Sequence, residues 1–150
     1  MTITEFCEKA VRDPRFQEES GKTYCNLFVQ AVMSHVGCQG FGGLLANDVL
    51  SRIEKANDWR KLDPDEAWRT ANDGELVIAG CKNPSGHGHL CVVIAGPLTW
   101  SKSHGDDVPM VANVGPAKYT FFGRPASYAF SAKNKPSYWL WLKSAGGGTK

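Results

Sequence analysis

Cys25 begins a segment whose apolar residues recur at helical spacing, through Phe28, Val29, Val32 and Met33. The pattern predicts a helix with one buried face and a thiol in its first turn. Unpaired N–H groups at a helix N-terminus favour thiolate over thiol, and thiolate is the form that attacks carbonyl carbon. The position therefore predicts a nucleophilic cysteine of lowered pKa, although a free cysteine can equally be a small apolar residue of the core.

His89 is the candidate base for this thiol. It precedes a β-branched segment, 89–95, which follows a glycine-containing loop and is closed by Gly96 and Pro97. A histidine on a rigid strand can present its ring to a helix end packed across it and take the thiol proton. The pair predicts nucleophilic catalysis by Cys25 with His89 as general base.

Asn113 is the candidate third residue, because a catalytic histidine needs a group that fixes its tautomer. It is the polar residue in the apolar segment 110–114, which predicts the strand after that of His89. The same side chain could instead face solvent on an open side of the sheet. Asp106 and Asp107 fall in a predicted loop and are less well placed.

The other three histidines are in positions that suit catalysis less well. His87 is expected to line the entrance of the site or to face water. His35 lies too far along the Cys25 helix to touch the thiol. His104 is expected to be a solvated loop residue.

Helices are predicted first along the chain and strands afterwards. The predicted helices cover 4–13, the Cys25 segment up to Gly37, 44–55 and a short segment from 64, and the predicted strands cover 76–79, 89–95, 110–114, 119–122 and 138–142. Thr2 and Glu5 stand at capping-box spacing, and Asp63 is placed to cap the fourth helix. Such segregation predicts an α+β fold with N-terminal helices packed on one face of an antiparallel β-sheet.

Length and composition predict one domain over 1–150, with 144–150 as a flexible tail. The net charge of +2 lacks the basic surplus of a nucleic-acid-binding protein. Because the N-terminus lacks a secretory signal and no segment is apolar enough to insert into a membrane, we expect synthesis in the cytoplasm. We also expect a monomer. The 5 cysteines do not form an even framework of disulfides, and Cys91 is expected in the core.

Three segments carry a resemblance to a known family. They are Y-C-N-L-F-V-Q at 24–30, L-V-I-A-G at 76–80 and G-H-L-C-V-V-I-A-G-P-L at 88–98. Together they resemble the type VI secretion amidase effectors of family one, which belong to the NlpC-type papain-like superfamily. The order of nucleophile and base, about sixty residues apart, is the one expected of papain-like folds.

The resemblance implies a papain-like NlpC-type fold and a cysteine amidase that cuts amide bonds in peptidoglycan peptide stems, between D-glutamate and diaminopimelate. It implies Cys25 as nucleophile and His89 as base, without a metal or other cofactor. It also implies export by a type VI secretion apparatus, action in the periplasm of a target cell, and inhibition by a cognate immunity protein.

Three alternatives remain open at the level of sequence. His87, His89 and Cys91 alternate along one segment and could hold zinc. Aromatic residues could form a sugar platform in a wall-binding module without catalysis; they are Trp59, Trp68, Trp100, Tyr138, Trp139 and Trp141. A thiol hydrolase or acyltransferase could also act on another substrate, in a groove built by loops 37–43, 81–88 and 100–109.

Overall fold

A computed structural model describes residues 1–143 of the chain. The helices are α1 (Ile3–Ala10), α2 (Cys25–His35), α3 (Ala46–Lys55) and α4 (Pro64–Asn72). The strands are β1 (Trp59–Leu62), β2 (Val77–Cys81), β3 (His89–Val93), β4 (Thr99–Ser101), β5 (Asp106–Val108), β6 (Met110–Asn113), β7 (Phe121–Pro125) and β8 (Ser137–Trp141). The predicted α+β class is confirmed, and the predicted tail, 144–150, lies outside the described residues.

Six strands form one antiparallel sheet in the order β1-β8-β2-β3-β6-β7. β3 lies inside the sheet, where His89 pairs with Cys81 of β2 and Val92 pairs with Ala112 of β6. Because β3 and β6 are antiparallel, the beginning of β3 and the end of β6 lie at the same edge of the sheet. The topology therefore brings His89 and Asn113 to the same end.

Alternate residues of the central strands enter two separate apolar cores. Ile78, Leu90 and Val92 belong to the core that α1, α2 and α3 cover. Val77 and Cys91 belong to the second core, which α4 covers through Ala67 and Ala71. The expectation that the helices share one face of the sheet is therefore wrong for α4, since strands apolar on both faces need cover on both sides.

Close packing of α3 on the sheet depends on Gly80 in β2. A Cβ atom at Gly80 would lie 2.6 Å from Cδ2 of Leu50 and 3.0 Å from Cδ2 of Leu90. Leu50 is almost fully buried, so the missing side chain of the glycine is replaced by a leucine from the helix. This contact holds the middle of α3 near the beginning of β3.

The ends of α1 and α4 follow local side-chain chemistry. Both helices begin with the predicted capping boxes, Thr2 with Glu5 and Asp63 with Glu66. The first helix ends at Ala10 rather than at residue 13, and Pro14 keeps Asp13 in an extended conformation that a helix cannot include.

Three strands have no counterpart in the sequence prediction. β1 carries two charged residues between its buried ends, so it does not alternate between apolar and polar residues. β4 and β5 are short and polar, and they form a separate hairpin over the segment expected to be a loop, 100–109. The predicted strand at 119–122 begins later, at Phe121, because Ala117–Tyr119 forms a 3-10 turn.

Within 1–143, none of the helices has the length and apolar character needed to cross a membrane.

We predict that Leu50→Ala destabilises the fold by about 2–5 kcal/mol, because it opens a cavity between α3 and the sheet. The matched control is Leu45→Ala. Because Leu45 is 58% exposed, this substitution should change the free energy of unfolding by less than about 0.5 kcal/mol. Equilibrium denaturation in urea measures both. Equal losses in the two variants would contradict the packing of Leu50 against Gly80.

Candidate active site

Cys25 is the first residue of α2, and the buried face of the helix fixes its position. Phe28, Val29, Val32 and Met33 are all essentially inaccessible to solvent, so the helix cannot rotate without exposing them. The Cys25 residue itself is 8% exposed. No side chain caps the helix at Tyr24, which leaves first-turn N–H groups free to face the sulfur.

Burial raises the pKa of the Cys25 thiol above its ordinary value, and hydrogen bonding from the backbone N–H groups of Leu90, Asn26 and Cys25 lowers it in part. The predicted net lowering of this pKa is therefore wrong, because the cost of placing a thiolate in the core exceeds what the helix N-terminus contributes. The N–H groups nevertheless act in the expected direction.

Cys25 differs from the other thiols because backbone N–H groups favour its thiolate form. Burial raises the pKa of Cys7 and of Cys38 to about 12, with Asp58 adding to the effect at Cys38. Among the five cysteines, all within residues 1–143 and all free, Cys25 alone has hydrogen-bond donors that favour its thiolate. Cys91 lies fully buried in the second core, as expected.

His89 and Asn113 form a direct hydrogen bond at the end of the sheet. Nε2 of His89 lies 2.5 Å from Oδ1 of Asn113. Nδ2 of Asn113 donates to the carbonyl oxygen of Tyr119 at 2.6 Å, and this fixes which end of the carboxamide is the acceptor. Nε2 of His89 must therefore carry the proton in the neutral ring, which leaves the Nδ1 lone pair free to accept one.

The backbone N–H of Leu90, the residue after His89, is one of the groups that lower the pKa of the Cys25 thiol, so the sulfur lies near the beginning of β3. The structure thus brings α2 and the beginning of β3 together at the two predicted residues. Asn113, at the end of β6, bonds Nε2 of the imidazole and is the third residue of the site. All three candidate residues converge on one end of the sheet.

Aromatic packing and burial set the protonation state of His89. The ring of Phe130 is tilted against the imidazole with 5.2 Å between centroids. Burial lowers the pKa of His89 below its ordinary value of 6.5, and the hydrogen bond with Asn113 opposes this in part. At neutral pH the ring is therefore uncharged and able to accept a proton.

His104 is buried, and the expectation of a solvated loop residue is wrong. It is 5% exposed, and its Nε2 lies 2.8 Å from the carbonyl oxygen of Phe130. The β4–β5 hairpin carries it inward, so that it supports the segment whose phenyl ring covers His89. The sequence offered no signal for this, since the contact joins residues 26 positions apart.

A cavity of about 670 Å³ opens beside Cys25. Its walls are the segment 21–27, the beginning of α3 at 45–48 and the loop 86–88. His87 is exposed and lines this cavity, which agrees with the predicted position at the entrance. Of the other loops expected to build the groove, 37–43 borders a separate cavity of about 540 Å³, and 100–109 forms the hairpin.

Two exposed leucines face the Cys25 cavity. Leu27 is 42% exposed and Leu45 is 58% exposed, and both line its wall. The cavity therefore presents apolar as well as polar groups next to the thiol.

His35 lies away from this cavity, at the other end of α2, where its ring stacks on Phe6 and its Nε2 lies 2.8 Å from the carbonyl oxygen of Met1.

The structure does not favour the zinc alternative. Within residues 1–143, no group of three or more His, Cys, Asp and Glu side chains is arranged to hold a metal ion. His87 is exposed, whereas Cys91 is fully buried, so the alternation along the sequence does not produce a common site.

The proposed aromatic platform is largely part of the core. Trp59, Tyr138 and Trp139 are buried, and Trp68 donates its indole N–H to the carbonyl oxygen of Gly96. Trp100 is the exposed member of the set, at 64%. A single exposed indole does not make a platform for sugar stacking.

Comparison of the chain with protein-family models and with curated proteins found no match in either case. The Asn113 carboxamide holds the His89 ring so that Nδ1 is its free basic atom.

We predict that Asn113→Ala lowers the pKa of His89 further, because burial then acts without the hydrogen bond that opposes it. Asn113→Asp should raise this pKa, since a carboxylate stabilises the imidazolium. NMR titration of the His89 ring resonances measures both shifts. Identical titration curves in the native protein and both variants would contradict the contact.

Proposed function

We propose that this protein is a cysteine amidase in which Cys25 is the nucleophile, His89 the general base and Asn113 the residue that orients the base. The observation that carries the proposal is the hydrogen bond between Nε2 of His89 and Oδ1 of Asn113. This bond occupies Nε2 and leaves Nδ1 as the free basic atom of the ring. The next residue along the chain, Leu90, has a backbone N–H that favours the thiolate of Cys25.

In the proposed reaction, Nδ1 of His89 takes the proton of the Cys25 thiol as sulfur attacks the amide carbon. The carbonyl oxygen becomes an oxyanion, which the backbone N–H of Cys25 at the beginning of α2 helps to stabilise. The imidazolium then protonates the leaving amine, the C–N bond breaks, and a thioester remains. His89 next takes a proton from water, which hydrolyses the thioester and restores the thiol.

Burial of both groups favours an uncharged resting pair over a thiolate–imidazolium pair, because it raises the pKa of Cys25 and lowers that of His89. Proton transfer is then coupled to attack on the substrate. The N–H donors around the sulfur favour the negative charge that develops on it.

The proposed substrate is the peptide stem of peptidoglycan, cut between D-glutamate and diaminopimelate. The resemblance at 24–30, 76–80 and 88–98 supports this choice, and the cavity volume of about 670 Å³ suits a short peptide. A papain-like NlpC-type fold is supported by the arrangement of α2, β3 and β6, with the nucleophile at a helix N-terminus and the other two residues on neighbouring antiparallel strands.

The same resemblance supports a role as an antibacterial effector. In this proposal the chain is made in the cytoplasm, exported by a type VI secretion apparatus and active in the periplasm of the target cell. A cognate immunity protein would protect the producing cell by blocking the Cys25 cavity.

We predict that Cys25→Ala and His89→Ala each reduce the release of soluble fragments from purified sacculi by about ten-thousandfold or more, because members of a catalytic unit do not act additively. Mass spectrometry of the fragments identifies the bond that is cut. The matched control is Cys81→Ser, a half-buried thiol outside the cavity, which should digest sacculi at the native rate.

The outcomes separate the proposed function from its rivals. A Cys25→Ala protein that still digests sacculi would overturn the nucleophile. Binding of sacculi by both proteins without fragment release by either would favour a wall-binding module. Cys25-dependent turnover of small amide substrates without digestion of sacculi would favour another substrate.

We predict that the acidic limb of the kcat/KM profile is centred below pH 6.5. His89 must be uncharged to accept the thiol proton, and burial holds its pKa below 6.5. Stopped assays on a stem peptide across the acidic range measure this profile. An acidic limb centred above 6.5 would contradict the proposed role of the buried imidazole.

A further inference from the structure

Asn47, in the first turn of α3, ties this helix to the loop that precedes β3. Its Nδ2 donates to the carbonyl oxygen of Asn83 at 2.8 Å and to that of Gly86 at 3.0 Å. Its Oδ1 accepts from the backbone N–H of Asn83 at 3.0 Å. One half-buried side chain thus makes three hydrogen bonds to the five residues before Gly88.

Gly88 packs directly against the same carboxamide. A Cβ atom at Gly88 would lie 2.3 Å from Oδ1 of Asn47 and 2.9 Å from the carbonyl oxygen of Cys81. Atoms cannot approach so closely, so a glycine is required at this position. The backbone immediately before His89 is therefore held between α3 and the end of β2.

A second set of amide contacts ties α3 to the helix of the nucleophile. Nδ2 of Asn26 and Nε2 of Gln30 both donate to the carbonyl oxygen of Leu44, at 3.1 Å and 2.9 Å. Leu44 precedes the N-cap of α3, so these bonds fix the beginning of α3 on α2. Side-chain amides thus connect α2 to α3 and α3 to the beginning of β3.

We infer that Asn47 is a positioning residue that sets the separation between the Cys25 sulfur and the His89 imidazole. The inference rests on the proposed function, since it requires that the two groups react together. Cys25 and His89 lie on α2 and β3, which are far apart in sequence. Side-chain amides connect α3 both to α2 and to the loop before β3. A misplacement of about 1 Å between catalytic groups can cost about a hundredfold in rate.

The chain contains a matched control at the opposite end of β3. Nδ2 of Asn72 donates to the carbonyl oxygens of Trp68 and Gly96, at 2.8 Å and 3.1 Å, and its Oδ1 accepts from the N–H of Gly96 at 3.1 Å. Asn72 thus makes the same number of hydrogen bonds as Asn47; two of them tie α4 to the loop after β3, and the third stays within α4. Its loss should resemble that of Asn47 in stability without reaching the site.

The test measures the coupling between Cys25 and His89. In a Cys81→Ser background, the rate of Cys25 alkylation by iodoacetamide is measured with and without His89→Ala. We expect His89→Ala to slow alkylation by about tenfold or more in the otherwise native protein, because the imidazole assists loss of the thiol proton. The ratio of the two rates reports coupling and cancels changes in access to the sulfur.

Asn47→Ala should bring this ratio close to one and reduce kcat for fragment release by about 10- to 100-fold, with KM changed by less than about twofold. Asn72→Ala should leave the ratio and kcat as in the native protein, although it lowers the unfolding midpoint to a comparable extent. If Asn47→Ala does not fold, Gln30→Ala should shift the ratio in the same direction, because it removes one of the two donors to Leu44.

An unchanged ratio in Asn47→Ala, or equal losses in the Asn47 and Asn72 variants, would overturn the inference. A native ratio of one would overturn the proposed pairing and the inference with it. A native ratio of about ten that depends on Asn47, in a protein that does not digest sacculi, would support the inference while rejecting the proposed substrate.

Discussion

The hydrogen bond from the Asn113 carboxamide to the Tyr119 carbonyl determines the chemistry of the site. It presents the oxygen of Asn113 to His89 and so decides which imidazole nitrogen carries the proton. A carboxamide that was free to turn could present either its donor or its acceptor to the ring. The fixed orientation makes Nδ1 the basic atom, and the proposed function depends on this assignment.

Burial supplies the second constraint, and it acts on both members of the pair in opposite directions. It raises the pKa of Cys25 and lowers that of His89, so the uncharged forms are favoured. The first turn of α2 and the Leu90 N–H partly compensate at the sulfur. Such a pair favours the protonated thiol, which fits the proposed activation of the thiol by the imidazole during attack.

Much of the architecture could be predicted from local patterns. The capping boxes of α1 and α4, the buried face of α2 and the antiparallel strands follow from spacing and residue type, because capping and burial act within a few residues. The edge strand β1 and the β4–β5 hairpin could not be predicted, since their short polar sequences are stabilised by partners elsewhere. The placement of α4 on the opposite face likewise depended on which strands became neighbours.

The sequence by itself determined which residues could carry the chemistry: a thiol at the beginning of a helix, a histidine at the beginning of a strand and an isolated asparagine on a later strand. Tertiary structure decided the tautomer of His89, the raised pKa of Cys25 and the role of His104 as a buried support for Phe130. The physical reason is that hydrogen-bond partners and desolvation come from residues far apart in sequence. Their proximity exists only when the sheet has formed.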